Sequence, residues 1–530
     1  MSQIIKGLNI PVNRVEGDLE VRVDVVDHRI DNAWSAGTMF RGFESMMVGR
    51  GPLDGLVITP RICGICSLTH LSAAVTALDS ITGITPPDNA IRLRNIALIA
   101  ETIQSDMRQA ILMYMADFTN AQAYRHHPLF KEAVDRYQML KGTSVLEVIR
   151  KTKRLIEVIA IIGGQWPHTS FMVPGGVTSI PDTAKLMQCR LIIEQFKEWF
   201  ESRVLGCTME RWQAVSSFKD LENWLGESPC HRNSEVGFFL RFAWKAGLDT
   251  FGRGTDNYIS FGNFPFPRHT GVVPLNQIND KDEPGKRQNL VLTAPGFATG
   301  ITPRPLDPTK ITEDVSAAWF EQEKTTLHPF DGITRPYASG SSGEKYSWVK
   351  APRYNSVPAE TGPLAEMIMD KVPLFHDMIQ QKGASALIRQ LARMVRPASL
   401  LPAMGTWLNE LMTHRDAPFY TSVKSIPDGE GAGMVQAPRG ALGHWVKIKN
   451  RKISHYQIIT PTAWNGSPRD KNKHPGPWEK ALKGVALKNL ENPVEAGHVI
   501  RSFDPCMVCA VHTLKKDGTP HKKFHTGWTF

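Results

Sequence analysis

The chain has 530 residues, 42% hydrophobic and 22% charged, which is enough for a large buried core and far from a disordered or fibrous composition. Lys and Arg number 62 against 52 Asp and Glu, a net charge of +10, but the basic residues are scattered in small groups such as "KIKNRK" (447–452). No nucleic-acid module signature accompanies them, so solvated basic faces are expected and no nucleic-acid partner. Seven cysteines, an odd and sparse count, argue against a disulfide framework. No apolar stretch approaches the ~20 residues that span a bilayer. The first twenty residues hold neither an apolar signal core nor a twin arginine, so the expected location is cytoplasmic, with any membrane association supplied by partners.

Residues 1–60 read as strand-rich, and "LEVRVDVVDHRIDNAW" (19–34) alternates as a hairpin does. "GLVITPRICGIC" (55–66) reads as a short apolar strand turning at a proline, which puts its cysteine pair on a turn or a helix start. Residues 89–118 follow "PPDN" and keep helical apolar spacing without Gly or Pro. Residues 144–163 and 182–205 also read as helices. The stretch 250–345 is rich in Gly, Pro and aromatics and predicts loops and short strands. Helices resume at 384–395 and 399–412, and 442–461 reads as a second hairpin. No internal repeat and no long linker interrupt the chain. The expectation is one intertwined domain, 1–530, of predominantly helical α+β class: a core of long helices, an N-terminal β-hairpin region and a C-terminal β segment.

Two Cys-x-x-Cys pairs stand at opposite ends, Cys63 and Cys66 in "RICGICSLTH" (61–70), Cys506 and Cys509 in "DPCMVCAVH" (504–512). Four thiolates suit zinc, an iron–sulfur cluster or a softer metal such as nickel. Structural zinc pairs flank a small knuckle, whereas 440 residues separate Cys66 from Cys506. Spacing alone does not choose between zinc, another metal and two unrelated pairs.

The flanking residues do. Both segments match, at every defined position, the R-x-C-G-x-C-x-x-x-H and D-P-C-x-x-C-x-x-H motifs of the nickel–iron hydrogenase large subunit, which the chain resembles nearly end to end. "RVEGDL" (14–19), "FRGFE" (40–44), "GGQWPHTSFMVPGGV" (163–177), "APRGALGHW" (437–445) and "TPTAWN" (460–465) agree in order, and the glycine-flanked tryptophan segment looks most like the cytoplasmic uptake and sensor branch.

This resemblance implies the nickel–iron hydrogenase large-subunit fold and a nickel held by Cys63, Cys66, Cys506 and Cys509. Cys66 and Cys509 would bridge to an iron carrying carbonyl and cyanide ligands. The activity implied is reversible heterolytic cleavage of H2 in the uptake direction, with a hydrogen sensor as the rival reading. Glu16 matches the proton-relaying glutamate, His70 a histidine bonded to a bridging thiolate, and Arg439 the guanidinium over the open metal face. Asp117 and Asp504 would be its ion-pair partners, and Cys509 joins this catalytic set. Thr462 matches the hydroxyl that meets a cyanide, with Pro438 lining the same pocket. Glu44, the carbonyl of Ile458 and His512 match a separate magnesium- or iron(II)-type site.

The resemblance also implies that an endopeptidase removes the eighteen residues after His512 once insertion proteins have delivered nickel. Sensor-type relatives typically lack such an extension, which favours a turnover enzyme. Outside the four motif cysteines, Cys189, Cys207 and Cys230 are unpaired in sequence and one short of a four-cysteine cluster site. An iron–sulfur small subunit is therefore expected as an obligate partner.

Overall fold

The computed structural model describes residues 4–15, 17, 19–272, 290–321, 324–338 and 344–506. Three antiparallel strands open the chain: β1 (Ile4–Pro11), β2 (Leu19–Val26) and β3 (Arg29–Gly37). Alternation turns Leu19, Val21, Val23 and Val25 inward. Asp27 and His28 connect β2 to β3 with both φ values positive, the two-residue turn whose twist suits a hairpin.

The predicted strand before Cys63 is absent. Gly55–Ile58 and Thr59–Arg61 are single helical turns instead, and the Thr59 hydroxyl donates back to the Gly55 carbonyl at 2.8 Å. Four apolar residues are too few for periodicity to separate strand from helix. Helix α1 (Ser67–Thr82) begins directly after Cys66. Helix α2 (Asp88–Arg108) is buried nearly all round, as a central helix must be. It does not run to 118 as one α-helix: a wide π turn (Gln109–Tyr114) and a 3-10 turn (Met115–Thr119) follow. The π turn faces the C-terminal segment, where Gln109 Nε2 donates to the Arg501 carbonyl at 2.6 Å.

Helices α3 (Thr143–Gly163), α4 (Thr183–Trp199), α5 (Glu235–Ala246), α6 (Ala386–Val395) and α7 (Pro397–Thr413) complete the main apolar core with α1 and α2. Between α5 and α6 the Gly- and Pro-rich stretch holds two nine-residue strands, β4 (Asn257–Pro265) and β5 (Val291–Thr299), longer than the sequence suggested.

The C-terminal sheet is β6 (Gly429–Ala437), β7 (Gly440–Lys449) and β8 (Lys452–Ile459), antiparallel in that order. Its second hairpin turns at Asn450 and Arg451, both with positive φ. Strand β6 lies against α1 closely enough that a Cβ at Gly433 would sit 1.8 Å from the Ala73 carbonyl oxygen. Helix α8 (Val494–Ser502) then leads to Cys506. The N-terminal sheet packs on this end of the chain. Val21, Val23 and Ile30 share a core with Trp464, Trp478 and Ile500, and Ile30 N donates to the Val485 carbonyl at 3.0 Å. The architecture is α+β with a helical core and several small sheets. Among the described residues no helix is long and apolar enough to cross a membrane.

Candidate metal centre

The packing of α8 beneath the first sheet brings both motifs together. Cys63 Sγ and Cys506 Sγ lie 3.4 Å apart, and the Cys66 backbone N–H points at Cys63 Sγ from 3.3 Å. All three residues are at most 3% exposed. Sulfurs bound tetrahedrally to one metal at ~2.3 Å stand about 3.8 Å apart, whereas a disulfide needs about 2.05 Å. At 3.4 Å the two sulfurs are not disulfide-bonded and stand somewhat closer than two ligands on one metal would. Among the described residues no three His, Cys, Asp or Glu side chains are arranged to hold a metal ion. Cys509, the fourth, lies outside the described residues, as do Glu16, His512 and the tail after it.

Arg439 stands at the tip of the hairpin between β6 and β7, whose paired ends are Ala437 and Gly440. Gly440 has φ +130°, and a Cβ there would collide with Thr361, so only glycine closes this tip. One guanidinium nitrogen of Arg439 is 3.0 Å from Cys66 Sγ, and Nε is 3.1 Å from Asp504 Oδ1. Burial works against its charge, but Asp504 and the three sulfurs hold its pKa well above the ordinary value. Hydrogen bonding to Cys506 and Cys63, with burial, pushes the Cys66 thiol up. A bound metal reverses that and holds the sulfur as thiolate. A permanent cation against buried sulfurs is what a thiolate ligand set needs, so these residues fit a soft metal.

Pro438 fixes the tip through its carbonyl, which accepts from Arg396 at 2.7 Å and Arg393 at 3.3 Å. Arg393 also meets Asp504 at 3.2 Å and Asp106 at 3.2 Å. Arg396 pairs with Asp106 at 2.6 Å and Glu366 at 2.5 Å. Three buried arginines thus face three buried carboxylates, with Arg439 at the sulfur end. Thr462 sits in the helical turn Pro461–Asn465, and its oxygen accepts the Cys506 backbone N–H at 3.0 Å.

Asp117 corrects the sequence reading. It does not reach Arg439. Arg501 pairs with it at 2.6 Å, Arg14 pairs with it as well, and His498 lies 3.8 Å away. The buried carboxylates around the Arg393, Arg396 and Arg439 cluster are Asp106, Glu366 and Asp504 instead. Asp504 lies between Arg439 and Arg393.

His70 projects from α1, and its Nδ1 is 3.1 Å from His444 Nε2. Burial lowers its pKa to about 4, and that of His444 well below the ordinary value, so both rings are neutral at neutral pH. Glu44, at the helical turn Phe43–Met47, accepts the Ile458 backbone N–H at 2.9 Å. It also meets the Thr334 hydroxyl, and Lys350 Nζ at 3.3 Å. Lys350 is itself buried and bonded to Gln457 Oε1 at 2.5 Å.

Asp106, Arg393, Arg396, His444 and Glu101 escaped the sequence reading. One signal was available: "ALIRQLARMVRP" (386–397) carries Arg389, Arg393 and Arg396 at helical spacing in an otherwise apolar run. Such a stripe demands buried partners. Glu101, on α2, has no such signature, yet it accepts from Leu68 N (2.8 Å), Thr69 N (2.9 Å) and Thr69 Oγ1 (2.7 Å) at the start of α1.

Comparison with known proteins places this site in context. The family profile described as nickel-dependent hydrogenase matches residues 41–109 and 242–512. The periplasmic [NiFeSe] hydrogenase large subunit of Desulfomicrobium baculatum is 30% identical, over 95% of this chain and 94% of that one. The uptake hydrogenase large subunit of Rhodobacter capsulatus is 29% identical, over 96% and 95%. The H2-activated [NiFeSe] hydrogenase structure from D. baculatum superposes with a TM-score of 0.77 at 28% identity, covering 97% of this chain and 100% of that one. The reduced Ni-Fe-Se hydrogenase of D. vulgaris Hildenborough gives 0.75 at 29% identity, covering 97% and 100%. One of these relatives is named periplasmic, so the cytoplasmic expectation does not follow from the likeness.

Proposed function

The chain belongs to the nickel-dependent hydrogenase family, as an enzyme of the large-subunit type, and from that premise we propose that it oxidises H2 to protons and electrons in the uptake direction. The observation that carries this reading is the meeting of Cys63, Cys66 and Cys506 beneath the Arg439 guanidinium. Cys63, Cys66, Cys506 and Cys509 would hold the nickel, and Cys66 and Cys509 would also hold an iron that carries carbonyl and cyanide. When bound, that centre supplies a soft two-electron acceptor at which H2 is split.

The remaining work belongs to the chain. A cysteine sulfur would take the proton released when H2 is split. Arg439 keeps a fixed cation where charge separates, and Asp504 holds the guanidinium in that plane. Glu16 carries the proton onward towards solvent. Thr462 has its acceptor lone pair engaged by Cys506 N–H, which leaves its hydroxyl hydrogen for a cyanide. Glu44, the Ile458 carbonyl and His512 would hold a magnesium- or iron(II)-type cation, with Lys350 beside it. The electrons leave through an iron–sulfur small subunit. Nickel-insertion proteins load the site, and an endopeptidase then cuts after His512.

Infrared spectroscopy of the purified complex tests this, with nickel and iron counted on the same sample. Carbonyl and cyanide stretching bands with about one nickel per chain, the stoichiometry of a single thiolate site, are expected. Zinc with no such bands would sink the reading. Intact mass of active enzyme should show the chain ending at His512.

A further inference from the structure

His70, His444 and Tyr456 come from α1, β7 and β8 and form one buried chain. His70 Nδ1 is 3.1 Å from His444 Nε2, and His444 Nδ1 is 2.9 Å from the Tyr456 hydroxyl. The three residues are 1%, 0% and 3% exposed. Between two neutral imidazoles one nitrogen donates and the other accepts, so the chain has only two polarities.

In the first, the Tyr456 hydroxyl donates to His444 Nδ1, His444 Nε2–H donates to His70 Nδ1, and His70 carries its own hydrogen on Nε2. In the second, every bond reverses. His70 then carries its hydrogen on Nδ1, and the phenol hydrogen needs another acceptor. Among the described residues the Tyr456 hydroxyl has no partner besides His444. The second polarity would therefore bury an unsatisfied O–H, which proteins avoid. The first leaves only the Nε2–H of His70 without a partner among the described residues. His70 stands one helical turn past Cys66, whose carbonyl accepts its backbone N–H at 3.1 Å. A sulfur cluster is the acceptor such a donor suits.

We infer that Tyr456 is a positioning residue: through His444 it fixes the hydrogen of His70 on Nε2 and so supplies one N–H donor to the metal-holding thiolates. This inference rests on the reading of those cysteines as metal ligands. A hydrogen bond to a ligating sulfur withdraws electron density from the metal and raises its reduction potential. Tyr456 thus tunes the centre from two residues away without touching it.

The test is infrared spectroscopy and redox titration of the metal-loaded complex, comparing wild type, Tyr456→Phe and His70→Gln. Tyr456→Phe should move the diatomic-ligand bands to lower wavenumber and lower the midpoint potential, with nickel and iron content unchanged. His70→Gln calibrates the readout by removing the terminal donor. Wild-type bands and potential in Tyr456→Phe, with shifted ones in His70→Gln, would overturn the inference. Pulsed EPR of the wild-type paramagnetic nickel with 15N-labelled histidine decides the matter independently of whether the variants assemble. A histidine nitrogen bearing an exchangeable proton and coupled to the nickel supports the chain polarity, and its absence refutes it. A wild-type complex without diatomic bands would instead remove the metal reading, and this inference with it.

Discussion

Arg439 does two things with one guanidinium, meeting Cys66 Sγ at 3.0 Å and facing Asp504 at 3.1 Å. A lysine ammonium is a single point charge on a flexible stem and cannot hold both partners in one plane. Arg439→Lys should therefore lower H2-dependent dye reduction by roughly 10²–10³-fold, the range for removing one preorganised donor. Nickel content should stay unchanged, because Cys63, Cys66 and Cys506 do not depend on it. Near wild-type turnover in the lysine variant would show that the guanidinium has no part in catalysis. The residues legible in the sequence were those inside short motifs, where position specifies the partner. Asp504 and Arg439 belong to that class. Asp106, Arg393 and Arg396 hold Pro438 and Asp504 in place from outside any motif. Asp117 was assigned from a loose match in "YMADF" with no motif around it to fix its partner, and the structure pairs it with Arg501 and Arg14.

Helix α1 follows directly on the first cysteine pair and carries His70, and two contacts fix where it lies. On one side β6 approaches so closely that Gly433 has no room for a side chain. Gly433→Ala should cost about 3 kcal/mol or more, at the upper end of overpacking effects, read as a lower denaturation midpoint. An unchanged midpoint would mean that the strand can slide off the helix freely. On the other side the buried Glu101 of α2 accepts three hydrogen bonds from the first turn of α1. Burial, against those hydrogen bonds, raises its pKa from 4.5 to about 7. The folded state therefore binds this proton more tightly than the unfolded state. The resulting stability is full below the unfolded pKa and is lost as pH rises through about 7. Its size is on the order of 3 kcal/mol. Glu479 and Glu313 are raised to about 7 as well and act in the same direction. Glu101→Gln should flatten, without abolishing, the fall in denaturation midpoint between about pH 5 and about pH 8. A slope equal to wild type would place the proton elsewhere. Long amphipathic helices and the two alternating hairpins were legible in the sequence, because period and turn residues agree there. The four-residue run before Cys63 was not, because its helical turns are set by the Thr59 back-bond and by packing.

At the scale of the whole molecule, a site made from both ends of the chain requires those ends to be held together in the fold. The first sheet does this: Ile30 and His28 pair with Val485, Gly484 and Leu487, just ahead of α8. The Asp117–Arg14–Arg501 cluster ties the segment after β1 to α8 as well. The two cysteine pairs made that meeting predictable from sequence, though not the strands that achieve it. The same view shows what the chain lacks. Cys189 is buried on α4, Cys207 sits beside Trp224, and Cys230 is exposed, so the three remaining cysteines do not form a cluster that could carry electrons outward. On the proposed function, electron exit uses a group on another chain, and the rate of that exit should depend on the partner rather than on the nickel. The metal-loaded large subunit alone should reduce a large dye far more slowly than the complex does. H2/D2 exchange, which needs no net electron removal, should persist in the isolated subunit. Rapid dye reduction by that subunit would mean that electrons leave through this chain alone, and the small-subunit requirement would fall. Loss of exchange as well as dye reduction would mean instead that the partner is needed to complete the site itself.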